Sequence, residues 1–525
     1  MTILMKLIKF SILKRVLEKE KRTSKHFSSR IVSMSIKNKR FSRLLLIFAG
    51  IFVFSGFAQS QIVKVAVKID SAQTSTVTIE GQIFPEGATK NWSFLTSTAG
   101  IDNLGERISG LYLKDKDENP VTYKKLIAGE FLADEPAMYF RYKVDLSAPN
   151  KPSAIAHVSW LGREQGILML DDLLPQFGRE TSARVIFSLP EDWKIPGAKT
   201  EKGVTLIDVP NVEKAVFYVG KNWREKEFTI EKNRINLIIS GEFQFTDNEA
   251  AEAASEILKE YQAIFGAIPN EKEQIFILRF PKEVSLGNWE AETRGANVLI
   301  LSSDMPFKSQ SVQRLHEQFR HELFHLWMPN NLALSGKYDW FYEGFALYQS
   351  LRTGVRLNRI RFEDFLDTLA RAYDLDNMQS RKISLLEASK NRWNGLNAQI
   401  YARGMLVAFL VDVAVLRESK GKRSLSDILR AIYQKHQKPN AAQDGNTAVL
   451  NVLEARAELL TVIERYIKGA ESLDWQTDLE SVGIESGGEN FPTKLIVKSK
   501  LKGRQKDLLD ELGYNNWRKI IQKSK

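Results

Sequence analysis

Short runs in which apolar and polar residues alternate fill the stretch from Ile62 to Arg234: IVKVAVKI, STVTIEGQIF, MYFRYKVDL, ARVIFSL and AVFYVG, with turn residues between them. A period of two buries one face of a strand, so these runs predict an antiparallel, sandwich-like β domain. Near Ile235 the texture changes. RINLIISGEF, QIFILRF and NVLILSS read as strands, while TDNEAAEAASEILKEYQAIFG carries apolar residues at helical spacing, with Asp247 or Asn248 available as its cap. Beyond Gln310 helical periodicity dominates, over about 311–327, 340–352, 361–373, 399–417, 424–435 and 448–468. The expected fold class is α+β multidomain. A β-rich domain spans 61–234, a small sheet with a helical half spans 235–485, and 486–525 form a Gly-rich, then basic tail too short for another domain.

A chain of 525 residues is too long for one compact core. The 43% hydrophobic and 26% charged shares exclude a disordered or collagen-like chain. A net charge of +11 invites a nucleic-acid or anionic-membrane reading. Its distribution removes that invitation: residues 1–43 hold thirteen Lys or Arg against Glu18 and Glu20, which is the entire excess. No nucleic-acid partner is therefore expected. This basic segment runs into LLLIFAGIFVFSGFAQS, residues 44–60, whose apolar part is short for a membrane span of about 20 residues. Residues 1–60 read as a basic n-region and signal peptide, with Ala58 and Ser60 at the small-residue positions and cleavage before Gln61. A start at Met34 leaves an n-region of ordinary length. The protein is expected to be periplasmic or secreted, touching membrane only through this segment if it stays uncleaved.

The absence of cysteine excludes disulfides and thiolate ligands, so any metal must use His, Asp or Glu. FRHELFHLWMPNN, residues 319–331, offers His321, Glu322 and His325 as H-E-x-x-H. On a helix, histidines four apart share a face and can reach one tetrahedral zinc, while the glutamate beside the first can stand next to the open position as general base. A catalytic zinc takes three protein ligands. DWFYEGFALYQS, residues 339–350, offers Glu343 among Trp340, Phe341, Phe345 and Leu347, where a carboxylate is costly to bury unless paired or metal-bound. Gly344 permits close helix packing. His316, five residues before His321, reads as a surface residue, and His157 in AIAHVSW as a hydrogen-bonded core residue.

Taken together, HELFHLW and WFYEGFALYQ resemble the gluzincin metallopeptidases, and within them the glycyl aminopeptidase branch. The resemblance implies a thermolysin-like catalytic domain holding one zinc ion (Zn2+) per chain on His321, His325 and Glu343, with Glu322 as base and a peptide or protein as substrate. YARGMLVAFLVD, residues 401–412, is similar to that branch's Tyr-x-x-Gly-x-Leu-Val helix, which assigns Tyr401 to stabilising the tetrahedral intermediate. A phenol near zinc can donate to a developing oxyanion on its own chemistry. GNWEAETRG, residues 287–295, is similar to the family's Gly-Gly-Leu-Glu-His segment, where an acidic residue meets the substrate's free amine. Glu290 is the matching position and Glu292 its competitor, while Asn288 and Ala291 depart from the pattern. Met328, Pro329 and Asn330 replace the usual Asn and basic residues, a departure expected to affect substrate contacts and not the metal. No PDZ domain is expected. The implied reaction is peptide hydrolysis: an aminopeptidase if Glu290 or Glu292 binds the α-amine, an endopeptidase if neither does. The rival is a non-catalytic envelope binding protein with a closed structural zinc site, for which the sequence offers no convincing fourth ligand.

Overall fold

The computed structural model describes residues 61–69, 75–84, 88–176, 181–201, 203–437, 442–487 and 492–516. The expected signal segment, 1–60, lies outside them. Gln61–Ile69 sits inside an eight-stranded sheet with the spatial order Thr200–Glu201, Val204–Val209, Thr181–Ser188, Gln61–Ile69, Thr76–Phe84, Tyr139–Asp145, Ile108–Lys114 and Pro120–Val121. Val63, Val65, Val67 and Ile69 point into one core with Val77, Ile79 and Ile83, and the residues between the valines are half-buried or exposed. A three-stranded sheet of Thr89–Ser93, Glu130–Ala137 and Tyr123–Ile127 adds Trp92, Phe131 and Ala133 to that core, giving the sandwich-like arrangement. One pairing in the large sheet departs from the expected antiparallel pattern: Gln61–Ile69 runs parallel to Thr181–Ser188. Parallel neighbours need a long crossover, and the intervening strands supply it.

A second sheet of β1 (Trp223–Ile230), β2 (Asn233–Ser240), β3 (Lys272–Leu278), β4 (Trp289–Arg294) and β5 (Asn297–Ser302) has the order β1-β2-β3-β5-β4. It opens at Trp223, ahead of the change in texture at Ile235. Its strands divide their side chains between two cores. Ile275, Ile277, Val298 and Ile300 pack against helices, while Phe276, Leu278, Leu299 and Leu301 pack with Trp160, Ile167 and Tyr218 from the N-terminal region. Burial on both faces explains why these strands read as continuous apolar runs. At the edge lies β4, antiparallel to β5.

Four helices matter for the site: α1 (Asp247–Phe265), α2 (Lys308–Glu322), α3 (Asp339–Arg356) and α4 (Asn397–Ser419). The cap of α1 is Thr246, one position before the residues expected: its hydroxyl accepts from Glu249 N–H and the Glu249 carboxylate accepts from Thr246 N–H. Although α4 is long and apolar enough to cross a membrane, 94% of that stretch is buried within the fold, because it is the central helix of the helical half. The segment 486–525 is no detached tail in its described part. Leu495, Leu508, Leu509 and Leu512 join the same core as α4.

Fully buried Glu273 at the start of β3 accepts hydrogen bonds from Asn270 N–H (3.2 Å) and Nδ2 (2.8 Å) through one oxygen only. Burial outweighs these bonds and pushes its carboxyl up to about 8. Between about pH 4.5 and pH 8 the unfolded chain releases this proton while the folded one keeps it, so stability falls as pH rises through that window. Glu273→Gln is expected to flatten this dependence. In thermal unfolding the variant should match wild type at pH 4 and exceed it at pH 9, by on the order of a few kcal/mol.

Candidate metal centre

The α-helical pattern of α2 ends at Glu322, and Leu323–Leu326 continue as a 3₁₀ turn. His321 therefore stands on the last α turn and His325 on the tighter one. Their rings meet edge to face, with Nε2 atoms 3.2 Å apart. Helix α3 brings in Glu343, whose Oε2 lies 3.3 Å from His321 Nε2 and 3.7 Å from His325 Nε2. Zinc–nitrogen bonds of about 2.0–2.1 Å in a tetrahedral site put ligand atoms roughly 3.3 Å apart, so this triangle fits the ion. Glu343 Oε2 is also buried without a well-formed hydrogen bond, a position that calls for a cation. Burial would raise its pKa, yet Arg392, His321 and His325 together hold it well below the usual carboxylate range.

Glu322 competes for the third ligand position, because it too has an oxygen within 4.8 Å of the histidine nitrogens. Its Oε2 already accepts from the Thr293 hydroxyl at 2.8 Å. Of the two carboxylates, Glu343 is thus the one with an oxygen left unpartnered toward the histidines. Burial raises the Glu322 pKa, and the two histidines only partly oppose it.

The segment after H-E-x-x-H corrects the sequence reading. His325 Nδ1 lies 2.9 Å from the Met328 carbonyl, which can only accept, so Nδ1 carries the proton and Nε2 presents its lone pair. Asn330 donates to the carbonyls of Thr293 (2.7 Å) and His325 (3.0 Å) and accepts from Gly295 N–H (2.8 Å), stitching the turn to β4. These residues thus hold the His325 ring and its backbone, a contact that the expectation for Met328, Pro329 and Asn330 did not include. His316 is corrected too. It is buried, its Nδ1 2.8 Å from Arg320 Nη1 and its Nε2 3.6 Å from Glu256 on α1, since five residues turn it off the His321 face toward that helix.

Tyr401 lies near the start of α4, its ring centroid 6.4 Å from that of His321. Burial first, then the Glu343 charge, raises its pKa well above the ordinary value, so it stays a protonated donor. Its placement depends on a helix crossing without side chains. A Cβ on Gly344 would come within 2.5 Å of Gly404 Cα, and one on Gly404 within 2.7 Å of the Trp340 carbonyl. Gly404→Ala should therefore push α3 from α4, separating Glu343 from Tyr401. Overpacking of this kind costs about 1–3 kcal/mol. A lowered Tm with zinc affinity weakened in parallel is the expected result.

Glu290 and Glu292 both line a cleft of about 1130 Å³ that contains the metal-site residues. They are not equivalent. Glu292 bonds to His157 and lies 3.0 Å from Arg294 Nε, and Arg294 is held 2.6 Å from Asp171. Burial pushes the Glu292 carboxyl up, but His157 and Arg294 prevail and bring it down to about 2. Among the described residues the Glu290 carboxylate has no hydrogen bond or ion pair, and burial raises its pKa. His157 is half-buried at the cleft wall, not a core residue, and with Lys151, Ser153 and Asp171 it shows that the N-terminal half shapes the site. Arg392 and Asp339, 3.0 Å apart, also escaped notice. No spacing rule marks Arg392; only its place just ahead of the Tyr401 helix could have drawn attention to it.

No protein-family model matches this sequence, and no curated protein does. Solved structures do. A crystal structure of an aminopeptidase N family protein from Idiomarina loihiensis aligns with a TM-score of 0.68 at 15% identity, covering 81% of this chain and 79% of that one. An M1 zinc metallopeptidase from Deinococcus radiodurans aligns with a TM-score of 0.52 at 13% identity, covering 79% and 94%. A mutant of that enzyme bound to a Tyr-Ser-Ala substrate gives 0.53 at 13% identity, covering 79% and 96%. At these identities the likeness establishes architecture: this chain has the two-domain fold of the M1 zinc metallopeptidases, β-rich first and helical second.

Proposed function

We propose that this protein is a zinc-dependent aminopeptidase holding one zinc ion on His321, His325 and Glu343. The observation that carries the reading is the three-atom triangle of 3.2, 3.3 and 3.7 Å at the floor of a cleft whose wall presents an unpaired Glu290. Zinc bound there would supply Lewis-acid chemistry at the scissile carbonyl. Glu322 takes the proton of the attacking water and returns it to the leaving amine. Tyr401 donates to the oxyanion as charge develops. Glu290 receives the substrate's α-ammonium, because Glu292 is committed to His157 and Arg294. The peptide bound by the Deinococcus neighbour supports a peptide as the cleft's occupant, and the motifs shared with the glycyl aminopeptidases support the roles of Tyr401 and Glu290.

Paired peptides with free and N-acetylated termini, incubated with and without a zinc chelator, test this reading. Free peptides should lose residues from the N-terminus only in the metal-loaded protein, and acetylated ones should be cleaved at least ~10-fold more slowly, the loss expected for a charge-assisted contact of about 1.5–3 kcal/mol. Glu290→Gln should raise KM for free peptides alone. Equal internal cleavage of both sets would make the protein an endopeptidase. Tight zinc binding with no hydrolysis would leave the envelope binding protein.

A further inference from the structure

Arg392 belongs to the short turn Arg392–Leu396 ahead of α4, where Asn394 and Gly395 leave helical dihedrals and Gly395 takes φ 86°. Its guanidinium lies near two aromatic rings, 4.6 Å from the centroid of Trp393 and 5.5 Å from that of Tyr401. Trp393 in turn packs edge-on against His157, 5.6 Å away, so the turn is braced from the N-terminal half. Along its edge the guanidinium meets three oxygens: Glu343 Oε1 at 2.9 Å, Asp339 Oδ1 at 3.0 Å and Tyr401 Oη at 2.6 Å. This rigid fork has consequences for two groups at once. Arg392 occupies Oε1 of Glu343 and leaves Oε2 facing the two imidazoles. Because arginine can only donate, Tyr401 Oη accepts from it, and the phenolic proton turns to the Glu343 side where the histidine nitrogens converge.

We propose that Arg392 is a positioning residue for this centre: it selects the Glu343 oxygen that faces the histidine pair and sets the direction in which the Tyr401 hydroxyl donates. The Tyr401 half rests on the hydrolase reading given above; the Glu343 half rests on zinc binding alone. A purely electrostatic account makes the opposite forecast for zinc, since deleting a cation beside a divalent ion should tighten its binding.

Arg392→Lys, Arg392→Gln, Tyr401→Phe and the double variant Arg392→Gln/Tyr401→Phe separate these accounts. Zinc affinity, measured by competition with a chromogenic chelator, should fall about 10–100-fold in both Arg392 variants, as for other residues that orient metal ligands. The lysine variant keeps the charge, lacks the fork and serves as the folding control through its thermal unfolding. At saturating zinc, Arg392→Gln should lower kcat at least ~10-fold while KM moves little, and the double variant should be no slower than the slower single one, the non-additivity expected of groups acting as a unit. Unchanged or tighter zinc binding in both Arg392 variants, or fully additive kcat losses, would overturn the proposal. If wild type binds zinc but hydrolyses no peptide, the function fails and the zinc affinities alone decide the role of Arg392.

Discussion

Glu322→Gln is expected to leave the zinc stoichiometry of the protein unchanged and to lower kcat for free peptides by at least ~10³-fold, within the range for loss of a general acid–base. Glu322 Oε2 is engaged by the Thr293 hydroxyl, and a glutamine oxygen can accept the same bond, so the side chain should stay in place. What disappears is the ability to take a proton from water. KM should move little, because a general base acts on the reacting water and not on the bound peptide. Metal analysis of the purified variant beside its kinetics decides the assignment. Loss of zinc together with activity would mean that Glu322, not Glu343, is the third ligand. Retained activity would remove it as the base.

Much of the architecture is legible because it rests on local periodicity. Val63, Val65 and Val67 alternate, α4 carries an unbroken apolar run from Met405 to Val411, and Gly344 and Gly404 lie where two helices touch. The convergence of His321, His325 and Glu343 is legible for a related reason: the histidines sit one turn apart, and Glu343 is the one carboxylate between Trp340 and Leu347. What escapes is which partner a polar side chain finds, whether that partner lies across the chain or one turn away. Whether Glu290 or Glu292 is free follows from His157 and Asp171, which belong to the other half of the chain. His316 has a polar identity and an off-face interval, yet Arg320 and Glu256 give it buried partners. The Met328 carbonyl fixes the His325 tautomer through the backbone, which no residue type announces. The cap at Thr246 differs in kind: Asp247 is as good a cap by type, and it is Glu249, three residues after Thr246, that chooses between them by completing a capping box.

Removing Glu343 should have two separable effects, because its two oxygens serve different neighbours. Oε2 completes the triangle with the histidines, so Glu343→Gln should weaken zinc at least ~100-fold, abolish hydrolysis and erase the rise in Tm that zinc is expected to give wild type. Oε1 pairs with Arg392, whose remaining carboxylate partner is then Asp339. Leaving a buried cation under-compensated costs up to about 3–5 kcal/mol, and Asp339 should keep the loss below that range. The metal-free variant should therefore unfold at lower temperature than metal-free wild type. Adding Arg392→Gln and Asp339→Asn to Glu343→Gln removes every charge of this buried cluster and should recover part of that stability while restoring neither zinc nor activity. A triple variant less stable than Glu343→Gln alone would show that Arg392 packs for its own sake and not as the counter-charge of the two carboxylates.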